Sequence, residues 1–191
     1  MSLVVIFGTL ASQMSAEFLV TVRHASAADV ESLSAVGSVA FSDAYADFNE
    51  PQDISAHLRD QYSPAAILRE MDLPDRFYLL ALADDEPAGL CKLRAGPAPE
   101  GIPDPACLEI QQLYIDPRHQ RRGIGKALVD AVLAEARSLH LAGVWLGVWE
   151  QAVWAINFYM KYGFTKFGLQ SFRLGSTEQT DLLMWMSTAD E

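Results

Sequence analysis

The sequence predicts one α/β domain built on a mixed sheet. Three observations carry that reading. Strand-like and helix-like segments are interleaved along the chain rather than grouped. Residues 124–139 place Ile124, Ala127, Leu128, Ala131 and Val132 at i, i+3, i+4, i+7 and i+8, one buried face of an amphipathic helix. And 191 residues, half of them hydrophobic and a fifth charged, suffice for one core without a second domain or a membrane span.

Phe18–Arg23 alternates and is β-branched, a first strand. Ser26 with Asp29 three residues on forms a capping box for a helix carrying Val30, Leu33, Val36, Ala40 and Phe41 inward. Pro51 and Pro64 each open a further helical stretch, with Ile54 and Leu58 in one and Ile67, Leu68 and Met71 in the other. Phe77–Ala83 and Ala88–Arg94 are strands joined by the turn residues ADDEP. A proline- and glycine-rich loop, 96–105, precedes the strand Cys107–Ile115. After the 124–139 helix come a strand (VWLGVW), a helix over 151–162 stopped by Gly163, and two strands, Phe164–Leu169 and Leu182–Met186.

Twenty-five acids against fourteen bases give a net charge of −11, which repels nucleic acid and anionic membranes. Two cysteines, Cys91 and Cys107, each in an apolar run, read as buried thiols in a reducing, cytoplasmic setting. The opening stretch is apolar but has no preceding Lys or Arg, so it is expected to be a poor signal peptide. Residues 1–16 are expected to be an extension, with Met14 an alternative start, and 17–188 the domain.

The most informative segment is Leu108–Ala136, where a strand enters a loop with Gly123 and Gly125 and the loop opens into the amphipathic helix. Glycines let a ligand approach the backbone, and the first-turn N–H groups and helix dipole favour an anion. Between Pro117 and Arg137 five basic residues face two acids, an island of positive charge on an acidic protein. No Walker A string is present, and Gly123-x-Gly125 is followed by Leu128 where the dinucleotide fingerprint needs Gly or Ala. The anion is a phosphate of another kind.

Gln120-Arg-Arg-Gly123-Ile-Gly125 and the downstream AINFYMKYGF, Ala155–Phe164, resemble the two signatures of the GNAT superfamily of N-acetyltransferases. LEIQQLYI, VWLGVWE and SFRLGSTEQTDLLM are further similar to the PaiA-type spermine/spermidine N-acetyltransferases. The resemblance implies acetyl-CoA as donor, a mostly antiparallel sheet, and a splay between Cys107–Ile115 and Val144–Trp149 that admits the cofactor. It implies that Gln120, Arg121, Arg122, Gly123, Ile124, Gly125 and Lys126 hold the CoA pyrophosphate, chiefly by backbone N–H groups. Leu113, Tyr114 and Ile115 would flank the pantetheine arm as a neighbouring strand does. Asn157 would reach the cofactor from the next helix. One position departs: Ala152 stands where many relatives have Asn.

The same resemblance makes Tyr159 the acid that protonates the departing thiolate, against the plainer role of a packed aromatic. It makes Glu109 the base, directly or through water, with Gln111 on its strand face by alternation. The N–H of Ile115 is the expected oxyanion donor. His119 reads as a solvated loop histidine, and no residue set has metal-ligand spacing. The resemblance implies that the early helices wall the acceptor site, where Asp43, Asp47, Glu50, Asp53 and Asp60, interleaved with Phe41, Tyr45 and Phe48, suit a polyamine or lysine-like chain; Asp181 is a second candidate for a cation contact. The alternatives are a protein or peptide amine as acceptor, or a silent acyl-CoA-binding regulator. A homodimer pairing through the apolar closing strand is a further expectation.

Overall fold

In the computed structural model, which describes residues 3–4, 19–102, 104–174 and 177–189, the elements follow the anticipated order. They are β1 (Leu3–Val4), β2 (Val20–His24), α1 (Val30–Tyr45), α2 (Pro51–Tyr62), α3 (Pro64–Met71), β3 (Arg76–Ala83), β4 (Glu86–Pro97) and β5 (Ala106–Ile115). Then come α4 (Ile124–Ser138), β6 (Gly143–Trp149), α5 (Val153–Tyr162), β7 (Thr165–Leu174) and β8 (Thr177–Ser187). Of residues 1–16 only Leu3–Val4 is described; it pairs with β2, and the rest of that segment lies outside the described residues.

The sheet runs β1-β2-β3-β4-β5-β6-β8-β7, antiparallel except for β5 against β6. Alternation along β3 sorts its side chains between two layers. Leu79 and Ala81 join Leu108, Ile110, Val144, Leu146 and the inner faces of α4 and α5. Tyr78 and Leu80 join Val30, Leu33, Val36 and Ile67 beneath α1 and α3. On α4, Ile124, Leu128, Val129 and Val132 are fully enclosed. Each such side chain contributes roughly 1.5–3 kcal/mol of burial, which outweighs the modest propensity of the segment.

Local chemistry fixes the ends. Asp29 takes N–H and hydroxyl from Ser26, the expected capping box, and its carboxylate is also clamped by Arg23. Ser63 caps α3 by accepting from Ala66 N–H. Gly163, at φ 101°, stops α5. In the expected turn, Asp84 and Asp85 both adopt positive φ, as a tight hairpin turn requires. Three details differ from expectation. The glycine-proline loop is shorter, because β4 continues to Pro97, opposite Ala106. Leu68 turns outward while Ala66 and Ile67 pack inward. The closing strand, β8, lies between β6 and β7 with a partner on each side, so a dimer cannot form by strand pairing along it.

Two irregularities make the site. Pairing of β5 with β6 stops at Ile110 and Leu146, and beyond that point β6 continues only alongside β8. Opposite β4, Lys92 pairs with Gln112 and Leu93 with Ile110, so Gln111 is an extra residue, a bulge. Before it, Leu108 and Ile110 face α4; after it, Leu113 and Ile115 do. The bulge thus turns Tyr114 to the α1–α2 side, where it packs on Phe41 and Tyr62.

Candidate active site

The wedge between β5 and β6 is bounded at its wide end by the loop into α4. Asp116, buried, accepts from the Arg118 N–H and guanidinium, and its own N–H donates to Ala88 O, pinning the chain as it leaves the sheet. The Arg118 pair and the backbone bond hold this carboxyl below its usual range. Arg121 and Gly123 then take positive φ, 61° and 82°. Left-handed residues alternating with others turn successive N–H groups toward one point, an anion nest. Gly123 is also the N-cap of α4, and the first helical bond runs from Ala127 N–H to its carbonyl. The N–H groups of Ile124 and Gly125 precede that bond and emerge from the helix end.

Space agrees with this reading. A Cβ on Gly123 would meet nothing within 4 Å, leaving the nest open, whereas one on Gly125 would come within 3.0 Å of Ile115 and 3.5 Å of Phe158. Gly123 is therefore there for conformation and Gly125 for close packing of α4 on β5 and α5. The nest, the dipole and the wedge together fit a pyrophosphate carrying a long thin arm, which is the shape of CoA. Gln120, Arg121, Arg122 and Gly123 are exposed at the mouth, and Ile124 is buried beneath it. Lys126 is exposed, and its amine pairs with Asp130 one turn on. His119, expected in solvent, is 7% exposed and sits 3.5 Å from Arg122, so it braces the loop.

Leu113 and Ile115 pack their side chains beneath α4, which leaves their backbone to face the wedge. Tyr159 lies on α5 between the rings of Phe158 and Phe164. Burial, with Cys91 and Tyr45 nearby, pushes its hydroxyl well above the ordinary phenol range. It carries its proton throughout the physiological range. Asn157 is on the exposed side of the same helix, and Ala152 is the buried N-cap.

Glu109 stands just before the bulge, in the closed part of the β5–β6 pair opposite Trp145. Its Oε2 is 2.6 Å from Arg94 Nε and 3.2 Å from Gln111 Nε2. Glu109 and Gln111 meet on one strand face, as alternation predicts, with Gln111 itself the bulged residue. Gln111 Oε1 is buried without a partner.

On the α1–α2 side the wedge is walled by rings. Phe41 stacks on His57 at 4.2 Å, and Tyr45 and Phe48 lie against Trp149 at 6.0 and 5.1 Å. The hydroxyls of Tyr45 and Tyr62 converge on that of Tyr114. The acids expected to line this wall do not: Asp43, Asp47, Glu50 and Asp60 are exposed on the outer faces, and only Asp53 is half-buried. The apolar demand of the core turned Phe41 and Tyr45 inward, and the acids on the same helices had to face water; Phe48 stays 58% exposed and touches Trp149 from the rim. Asp181 is the carboxylate that does enter the cleft, half-buried and cross-strand from Trp149. Beside it, Trp149, Phe48, Glu150, Glu178 and Gln179 line a recess of about 220 Å³.

Trp149, Gln170 and Gly147 were not singled out in the sequence. A mid-strand glycine in VWLGVW was the available signal, since such a glycine marks close approach of another group. A Cβ there would lie 2.9 Å from Gln170 Nε2 and 3.2 Å from Asp181 Oδ2.

Known proteins share the family and the fold. Residues 40–164 match the model of the acetyltransferase (GNAT) family. An uncharacterized N-acetyltransferase in the pepI 3′ region of Lactobacillus delbrueckii subsp. lactis is 32% identical over 165 residues, 86% of this chain and 95% of its own. The fold is shared with the PaiA N-acetyltransferase of Thermoplasma acidophilum, solved in complex with coenzyme A. Its TM-score is 0.70 at 24% identity, covering 88% of this chain and 98% of that one. It is shared also with the ribosomal-protein-S18-alanine N-acetyltransferase of Escherichia coli, TM-score 0.66 at 14% identity, covering 91% and 96%. Among the described residues no helix is long and apolar enough to cross a membrane. The chain belongs to the GNAT family of acetyl-CoA-dependent N-acetyltransferases.

Proposed function

We propose that the acceptor is a small polyamine-like amine, acetylated by direct transfer in a reducing, cytoplasmic setting. The observation that carries this is the cleft wall opposite the glycine loop. Tyr45, Phe48 and Trp149 present ring faces, and Asp181, Glu150 and Glu178 supply negative charge beside them. Ring faces and carboxylates together attract ammonium groups and discriminate against anions. Two buried, unpaired cysteines support the reducing compartment.

In this reading acetyl-CoA supplies the activated acetyl group. The N–H groups from Arg122 to Lys126 hold its pyrophosphate, with Gln120 and Arg121 at the rim. The backbone of Leu113–Ile115 flanks its arm, and Asn157 approaches from α5. Holding donor and acceptor side by side supplies much of the rate enhancement. Tyr159 gives its proton to the departing thiolate, and a carboxylate on the acceptor side of the sheet takes the amine's proton, Glu109 being the one the sequence names.

The test follows free thiol release from acetyl-CoA with spermidine, spermine, lysine-bearing peptides, free peptide N-termini and an amine-free blank. Stimulation by the polyamines alone is expected. Stimulation by peptides instead would keep the enzyme and replace the acceptor. CoA binding without release above the blank would favour a silent acyl-CoA-binding regulator, for which buried Ala152 at the usual Asn position is the supporting feature.

A further inference from the structure

The acceptor's ammonium has an ordinary pKa near ~10 and must shed a proton before its nitrogen can attack. Among the described residues, two carboxylates on the central strands are candidates to take that proton. Glu109 is in the closed part of the β5–β6 pair, its Oε2 engaged by Arg94 and Gln111, with Arg76 adding its field nearby. Asp181 lies beyond the point where the two strands part, opposite Trp149. We propose that Asp181, which reaches over Gly147 into the open wedge, is the catalytic residue that takes this proton. The proposal rests on the acyl-transfer reading above.

Three features support it. Gly147 leaves the carboxylate room: the space a Cβ would fill is bounded by Asp181 Oδ2 and Gln170 Nε2. The groups that act on Asp181 are Gln170, from β7, and the Tyr45 hydroxyl, from α1, neither of them a cation. Of the charged side chains on the surrounding strands and turn, Lys166, Arg173, Glu150 and Glu178 are all exposed, and Glu178 is bonded to Ser171. Third, Tyr45 feels the charge of Asp181 and acts in turn on Tyr159, which puts the proton acceptor and the proton donor in one electrostatic neighbourhood. Burial raises the Asp181 carboxyl above its usual range, which brings its basicity closer to that of the amine.

The protons balance as follows. The ammonium gives its first proton to Asp181, and the nitrogen lone pair then forms the C–N bond. The second proton leaves the nitrogen after attack. Through water it replaces the one that Tyr159 gives to the thiolate as the C–S bond breaks. Asp181 releases its proton to solvent, the one net proton of the reaction.

The experiment measures kcat from pH 5 to 10 with saturating acetyl-CoA and spermidine for the wild type, Asp181→Asn, Asp181→Glu and Glu109→Gln. CoA affinity is measured alongside by calorimetry. Asp181→Asn is expected to bind CoA within about twofold of wild type and to lose ~10²–10⁴-fold in kcat at pH 7. The plateau above its acidic limb should vanish, leaving activity that climbs about tenfold per pH unit toward the amine's own pKa near ~10 as free amine appears. Asp181→Glu should keep a plateau, as should Glu109→Gln. A loss in Asp181→Asn confined to KM, with the plateau intact, would overturn the assignment and leave an anchoring role. So would loss of the plateau in Glu109→Gln. A wild type inert toward every amine in the panel would instead sink the acyl-transfer reading, and this one with it.

Discussion

Two buried or half-buried aspartates stand on opposite sides of the wedge and have been treated oppositely by the fold. Asp116, on the cofactor side, is saturated with donors from Arg118 and its carboxyl is pulled down. Asp181, on the acceptor side, has burial without a cation and its carboxyl is pushed up. The first is a fastening and lowers the energy of the folded chain. The second is a standing cost that becomes useful when an ammonium arrives. Regions that bind an invariant ligand through backbone can be fully satisfied in advance; regions that must wait for a charged acceptor cannot.

This contrast can be sharpened by mutation, beginning with the largest effect. Tyr159→Phe is expected to cut kcat by about 100-fold or more while CoA affinity, read by calorimetry, stays unchanged. Wild-type turnover in that variant would remove the acid assignment. Gly123→Val forces a β-branched residue into the left-handed region at φ 82° and should weaken CoA binding by roughly tenfold, through about 1–2 kcal/mol of strain. The acceptor's KM should hardly move, because the acceptor wall is built elsewhere.

The smallest effects concern stability, and they have opposite signs. Asp116→Asn should lower Tm by a few degrees, since it strips a buried carboxylate of its charge-assisted bonds, a loss moderated by the exposure of Arg118. Asp181→Asn should raise Tm by a similar few degrees at pH 7. The pH dependence follows the same division. The depressed Asp116 contributes stability that is present above the unfolded value near ~3.9 and disappears as pH falls through its folded value. The raised Asp181 imposes a penalty that is absent at low pH and grows as pH rises through its folded value. Equal Tm shifts of one sign in both variants would break the comparison.

The cofactor side was legible because it is local. Gly123, Gly125 and the amphipathic stripe of α4 are consecutive in the chain, and their consequence is a backbone geometry that few sequences produce. The acceptor side was only half legible. Tyr45, Trp149, Gln170 and Asp181 come from α1, β6, β7 and β8, and which of many acids turns inward depends on packing of the whole sheet. Composition marked residues 41–60 as acidic and aromatic but could not say that Phe41 and Tyr45 would turn in while Phe48 and most of the carboxylates stayed out. His119 failed for a related reason: loop position implies exposure, yet this short loop is packed beneath Arg122. The position of Glu109 next to a bulge was likewise invisible to a period-two reading.

That bulge sets a rule for how this gene can change. Gln111 matters as a place-holder more than as a glutamine, because one residue of extra length carries the strand over to its other phase. A substitution there alters one side chain. Deletion of the codon would turn the following residues over together, sending Tyr114 into the layer under α4 and driving Leu113 and Ile115 out toward the acceptor. Across divergent descendants, drift in letters is affordable along this stretch, whereas a frame-preserving loss of three nucleotides is not.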